Sequence, residues 1–156
     1  IAVQLSLDSG IPLKIAGVSR KEEKDAQKLF EEKVQPFLGE HIEYLGELND
    51  NEKIPFLAKA KALLVPNRWD EPFGIMNIEA LACGTPIVAT NKGSLKEIIL
   101  NNRTGFLCDN YEEMLEAINN INYLDNAECR NDACKRFSVE KYIKDTLKIH
   151  NSLLKK

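Results

Sequence analysis

Two short, uninterrupted apolar runs constrain this chain most: Ala62-Leu63-Leu64-Val65-Pro66 and Pro86-Ile87-Val88-Ala89-Thr90. A strand that covers one side of a sheet alternates apolar and polar residues. A strand apolar at every position is buried on both faces, as in parallel sheets sandwiched by helices. Parallel neighbours need a crossover between them, usually a helix, and Ile75 to Cys83 supplies one that ends at Gly84. The two runs therefore predict a βαβ unit, and the rest of the chain is read around it.

The same alternation extends in both directions. Residues 1–9 read as a helix end stopped by Gly10, and Leu13-Lys14-Ile15-Ala16 as a short strand ending at Gly17. From about Lys21 to Leu38, Ala26, Leu29, Phe30, Val34, Phe37 and Leu38 recur at helical spacing, with Pro36 and Gly39 at the terminus. Ile42 to Leu45 is a second strand, Asn51 to Lys61 a helix, Ser94 to Leu100 a short helix, and Gly105 to Cys108 a short strand. The remainder from Tyr111 reads as helical, with Ser138 as an N-cap. The expected fold is α/β: one Rossmann-like parallel sheet with helices on both faces, in a single domain over residues 1–156. The chain opens on a helix end, so the strand that begins such a domain is expected to be missing from it.

Composition narrows the function. The 156 residues suit one domain, and 44% hydrophobic residues suffice for a packed core. Lys plus Arg total 21 against 24 Asp plus Glu, a net charge of −3, which argues against a nucleic-acid-binding face. No apolar run approaches the roughly 18 residues of a membrane span. Cys83, Cys108, Cys129 and Cys134 form no C-x-x-C pair, and His41 and His150 lie far apart, so neither a zinc site nor a disulfide framework is expected. Free thiols in a reducing, cytoplasmic setting are the expectation. Cys83, beside Ala80, Leu81 and Ala82, reads as core rather than nucleophile.

The chemistry concentrates between Asn67 and Pro86. This segment starts where a buried strand ends, and ligands of open α/β sheets bind outside the carboxyl ends of strands. The helix beginning near Gly74 points its positive N-terminus and unbonded N–H groups into that crevice, which favours an anion such as a diphosphate. Gly74 lets a ligand approach the backbone. Glu71 lies in the loop, and Glu79 lies inside the helix among Ile75, Met76, Ile78 and Ala82. A carboxylate so placed needs a partner. Sugar or ribose hydroxyls would serve; so would a lysine, with Glu71 merely solvated. The residues alone leave both readings open.

The stretch Glu71-Pro-Phe-Gly-Ile-Met-Asn-Ile-Glu79 resembles the E-x7-E motif of retaining glycosyltransferase family 4, in its setting E-x-F-G-x-x-x-x-E-A-x-A-x-G-x-P. Pro86 to Thr90 is similar to the family's P-V-V-A-T strand, Gly93-Ser94-Leu95-Lys96-Glu97 to its G-G-x-x-E turn, and Thr104 to Leu107 to its T-G-x-L strand. Phe137-Ser138 resembles the opening of the family's last helix.

The resemblance, from about Leu13 to Leu154, implies the C-terminal, donor-binding half of a GT-B fold. By that likeness Glu71 is the catalytic-site carboxylate that contacts the transferred sugar. The amides of Phe73, Gly74 and Ile75 hold sugar and phosphates, Glu79 binds the ribose, and the Glu47-Leu48-Asn49 loop lies near the base, with Leu48 as its contact. The donor is a nucleotide diphosphate sugar, with no cofactor and no metal. The family's basic pair for the diphosphate, and its acceptor domain, would precede Ile1; any membrane contact would belong to that half. Arg20, Lys21 and Lys92 do not fall at the basic pair's place and read as solvated. Ser94 stands where the family has a second glycine, which reduces tolerance for a left-handed backbone there. The isolated chain is expected to fold without turnover and to expose apolar surface, including Val139, Tyr142, Ile143 and Leu147. The alternatives are a GT-B-shaped nucleotide-sugar epimerase and a binding-only Rossmann-like module.

Overall fold

A computed structural model describes residues 1–18 and 24–154. The elements run α1 (Ala2–Ser9), β1 (Leu13–Ile15), α2 (Lys24–Lys33), a 3-10 turn (Gln35–Phe37), β2 (Ile42–Tyr44), α3 (Asp50–Lys59), β3 (Leu63–Val65) and α4 (Ile75–Ala82). There follow β4 (Ile87–Thr90), α5 (Leu95–Ile98), β5 (Gly105–Cys108), α6 (Tyr111–Asn120), a second 3-10 turn (Ile121–Tyr123), α7 (Asn126–Phe137) and α8 (Val139–Leu153). Every strand pairing is parallel.

The core is built on β4, where Ile87, Val88 and Ala89 are all fully buried. Successive side chains leave a strand on opposite faces. Ile87 and Ala89 therefore pack with Val65, Leu81, Leu95, Ile98 and Cys129 on one side, while Val88 meets Leu5, Cys108, Met114 and Ile121 on the other. α4, α5 and α7 form the first covering layer, α1 and α6 the second. Each fully buried leucine or isoleucine contributes about 1.5–3 kcal/mol. Helices on both faces of parallel strands are thus present, as the apolar runs predict.

The single sheet is not. β1 and β2 form one ladder, β3-β4-β5 another, and no ladder joins β1 to β3 among the described residues. β3 is consequently an edge strand: Leu63 and Leu64 are half-buried although the run Ala62–Pro66 reads as buried on both faces. α2 also departs from expectation. It ends at Lys33, Gln35–Phe37 is a separate 3-10 turn, and no residue of α2 is buried. Its one aromatic packs on β2, with the Phe30 and Tyr44 rings 4.8 Å apart, because a two-stranded ladder offers little surface to cover. The expected helix start at Lys21, and the cations Arg20 and Lys21, lie outside the described residues.

Capping places the other boundaries. Asn49 accepts from the Asn51 and Glu52 amides while Glu52 accepts from the Asn49 N–H, a reciprocal box that starts α3. The side chains of Asn110, Asp125 and Ser138 each accept from a first-turn amide, without the reciprocal bond, and so cap α6, α7 and α8, dividing the helical remainder into three. No helix among the described residues is long and apolar enough to cross a membrane.

All four cysteines are free. Cys83 is half-buried at the end of α4 rather than in the core. Burial, followed by nearby carboxylates, pushes the Cys108 and Cys129 thiols up to about 11. A thiol raised that far stays neutral and inert near pH 8. Thiol titration of the native chain should therefore modify Cys134 first, Cys83 more slowly, and Cys108 and Cys129 only after denaturant; rapid labelling of all four would contradict this packing. Val139, Tyr142, Ile143 and Leu147 are all exposed on α8. An apolar stripe of this kind promotes association. Sedimentation should show self-association at high concentration that Ile143→Lys with Leu147→Glu reduces.

Candidate functional site

The loop from Asn67 to Gly74 leaves the carboxyl end of β3 and is stitched to the turn after β4. Thr90 donates its hydroxyl to the Asn67 carbonyl at 2.9 Å, and the Lys92 ammonium donates to the Arg68 carbonyl at 3.0 Å. The Gly93 N–H donates to Asp70 Oδ1 at 3.0 Å, the Ser94 N–H to the Glu71 carbonyl at 2.9 Å, and the Ser94 hydroxyl to the Phe73 carbonyl at 3.0 Å. Lys92, read as solvated from the sequence, is thus part of the support for this loop. Ser94 is right-handed, with φ −65°, so the residue needing a left-handed backbone is Gly93 at φ 51°. A Cβ on Gly93 would lie 2.6 Å from the Glu71 carbonyl oxygen and 2.7 Å from its nitrogen. Only glycine permits that approach.

The loop delivers the chain to α4 through Gly74, whose φ is 71°. Gly74, the N-cap, has no side chain to cap this helix; the Asn77 backbone N–H donates to the Gly74 carbonyl at 2.9 Å, and the positive helix end ahead of it is left open. Phe73 and Ile75 flank it with exposed side chains, as does Trp69 at 66% exposure. A cleft of about 370 Å³, lined among others by Asp70, Glu71, Phe73, Ser94, Arg136 and Phe137, opens beside the loop. It takes in Glu71 and Phe73 but not Gly74, Ile75 or Glu79.

The two carboxylates have different partners. Glu71 is half-buried, and its Oε2 accepts from the Trp69 indole N–H at 3.0 Å and from Asn67 Nδ2 at 3.4 Å. It is held, not merely solvated. Glu79 Oε1 lies 2.7 Å from Lys53 Nζ, which is also 3.1 Å from Asp50 Oδ1. Of the partners open to Glu79 on sequence grounds, the structure places the lysine against it. The hydrogen bond to Glu79 is the largest cause raising the Lys53 pKa. Both side chains are about one-third exposed, so solvent screens the pair and it adds little to stability. Leu48, half-buried, immediately precedes the Asn49 cap of α3, and α3 packs on α4. The Glu47-Leu48-Asn49 loop and Lys53 thus approach α4 on the Glu79 side.

Asn77, on the first turn of α4, is fully buried, and neither its Nδ2 nor its Oδ1 has a hydrogen-bond partner among the described residues. Its amide lies under Gly74: a Cβ there would be 2.3 Å from Asn77 Nδ2 and 3.2 Å from Glu71 Cγ. Sequence reading missed Lys53, Trp69 and Asn77. Asn77 carried a signal, a lone amide among Ile75, Met76 and Ile78. Lys53 carried none, being 26 residues from Glu79. Among the described residues no three His, Cys, Asp or Glu side chains come together as a metal site would need.

The fold has known counterparts. The family model described as glycosyl transferases group 1 matches residues 2–147. An uncharacterized glycosyltransferase of Methanocaldococcus jannaschii is 35% identical over 120 residues, covering 72% of this chain and 34% of that protein. AviGT4, a glycosyltransferase involved in avilamycin A biosynthesis, superposes with a TM-score of 0.80 at 23% identity, over 98% of this chain and 46% of its own. Anabaena HepE in complex with UDP-glucose superposes with a TM-score of 0.77 at 22% identity, over 96% of this chain and 44% of its own. The chain spans about a third of the archaeal relative and less than half of either solved structure. Its two covered faces of parallel strands match the C-terminal Rossmann-like half of GT-B glycosyltransferases. With nearly its whole length matched by one family model, this chain belongs to the glycosyl transferases of group 1.

Proposed function

We propose that this chain is the donor-binding half of a retaining, metal-independent family 4 glycosyltransferase, using a nucleoside diphosphate sugar. The observation that carries this reading is the loop bearing Glu71, clamped by the Gly93-Ser94 turn so that it feeds directly into the uncapped N-terminus of α4. Transfer exchanges the bond between the anomeric carbon and a phosphate oxygen for one to an acceptor oxygen, which leaves negative charge on the diphosphate. Preorganised amides and the positive helix end stabilise such charge without rearranging. In this reading the amides of Phe73, Gly74 and Ile75 meet the sugar and phosphates, and Glu71 accepts from sugar hydroxyls. Glu79, steadied by Lys53, accepts from the ribose, and Leu48 borders the base. The structure of HepE with UDP-glucose supports a nucleotide sugar as donor.

Leu63 and Leu64 are half-buried on β3, which is an edge among the described residues, and this favours a further apolar strand between β1 and β3. That strand, and the acceptor domain beyond it, would bring the cations that grip the diphosphate. The four unpaired cysteines suit a reducing, cytoplasmic setting.

Calorimetry with UDP, GDP and ADP and with UDP-glucose, GDP-mannose and ADP-glucose tests the site. Removing a charged hydrogen-bond acceptor costs about 1.5–3 kcal/mol, roughly ten- to a hundredfold in affinity. Glu79→Gln should weaken the nucleotide and the nucleotide sugar alike, while Glu71→Gln weakens only the nucleotide sugar. The melting temperature should change little in either variant, since the Lys53 pair is a surface one. Variants that bind all six ligands as the parent does would refute the assignment.

Catalysis in a cleft needs both walls to position reactants and exclude water. The chain alone should therefore show no sugar transfer above a Glu71→Ala control. Transfer above that control would refute the half-site reading.

A further inference from the structure

Asn77 is the anomaly of this site. Buried polar groups are almost always hydrogen-bonded, and each exception calls for a reason. Asn77 is fully buried with both amide atoms unpartnered among the described residues, on a helix whose neighbouring side chains are Ile75, Met76, Ile78, Ala80 and Leu81. A leucine would suit that environment better. The amide does not face the core at random. It lies beneath Gly74, at the uncapped start of α4, and the Cγ of Glu71 lies against the same point from the loop side. Because Gly74 has no side chain, the point a Cβ would occupy, 2.3 Å from Asn77 Nδ2 and 3.2 Å from Glu71 Cγ, is left to the amide and the Glu71 side chain.

We propose that Asn77 is a positioning residue for Glu71: its buried amide is a second seat for the Glu71 carboxylate, occupied when a sugar-bearing nucleotide reaches the α4 N-terminus. The proposal rests on the reading of Glu71 as the group that meets the transferred sugar. In the structure the carboxylate is in its first seat, where Oε2 accepts from the Trp69 indole and the Asn67 amide. Sugar hydroxyls arriving at the loop compete with those two donors. Rotation about the Glu71 side-chain bonds then brings the carboxylate over Gly74. There the Asn77 Nδ2 donates to one oxygen and leaves the other for the sugar. A buried amide donating to a charged acceptor makes a strong hydrogen bond, so a donor that moves the carboxylate satisfies a group that was previously unsatisfied. A bare nucleoside diphosphate carries no sugar on its terminal phosphate to trigger the exchange.

Trp69 is the only tryptophan in the chain, so its indole N–H resonance reports the first seat without ambiguity. UDP, GDP and ADP and their conjugates UDP-glucose, GDP-mannose and ADP-glucose are titrated into the parent, Asn77→Leu, Glu71→Gln and the double variant, following affinity, the indole resonance and melting temperature. In the parent, the sugar conjugate of the cognate base should shift the indole resonance while the bare diphosphate does not. Asn77→Leu should melt no lower than the parent, because it removes an unsatisfied polar group. It should bind the bare diphosphate normally, lose about tenfold in affinity for the conjugate, and lose the indole shift. That loss should not add to the loss from Glu71→Gln, since both break one contact.

An Asn77→Leu protein that distinguishes conjugate from diphosphate as the parent does would overturn the proposal, while Glu71→Gln still reports separately on the donor site. So would a lower melting temperature with equal loss for both ligands, which marks a structural role alone. A parent that binds none of the six ligands would overturn the donor-site reading and this proposal with it.

Discussion

The backbone of Gly93 comes so close to that of Asp70 and Glu71 that no side chain fits between them, and the site depends on this contact. Two loops from the carboxyl ends of adjacent parallel strands are thereby joined into one structure. Hydrogen bonds from Gly93 and Ser94 to Asp70, Glu71 and Phe73 add direction to the contact. The result is a long loop that behaves as an extension of the sheet, which lets a carboxylate and a row of amides be held in place without a metal or disulfide among the described residues. The fully buried Ile87, Val88 and Ala89 anchor the turn from below, so core packing and site geometry are coupled through a single strand.

The electrostatics follow from where the loop delivers the chain. A positive helix end, open because Gly74 offers no cap, is flanked by carboxylates that are both held by donors. Trp69 and Asn67 hold Glu71, and Lys53 holds Glu79. Carboxylates near an anion site would repel a diphosphate if they were directed at it. In the proposed reading, these hydrogen bonds turn the carboxylates' remaining oxygens to hydroxyl donors and leave the amides for the anion.

Much of the fold was legible in the residues. The runs at Ala62–Pro66 and Pro86–Thr90 announced parallel strands, and Gly10, Ser138 and the helical spacing before Cys83 placed several boundaries within a residue or two. The α2 region was misread because helical spacing of apolar residues signals a face to be buried, not that a sufficient surface exists to bury it. The long helical remainder was divided on paper only at Ser138, because Asp125 is a capping residue only when the following amide turns toward it. In the site, the Glu71-to-Glu79 segment stood out because glycine, apolar and acidic residues occur there in an ordered set.

By itself the sequence determined the alternation of strands and helices, the parallel pairing and the segment in which a helix start, a glycine and two carboxylates gather, because these depend on local periodicity and on spacing along the chain. Only the tertiary structure decided that, among the described residues, the strands form two ladders, Gly93 rather than Ser94 needs the left-handed backbone, Lys53 is the partner of Glu79, and Asn77 lies unpartnered under Gly74. Each of these is a contact between residues distant in the chain, or the absence of one. Their energies arise from proximity in space, which no pattern of neighbours along the chain encodes.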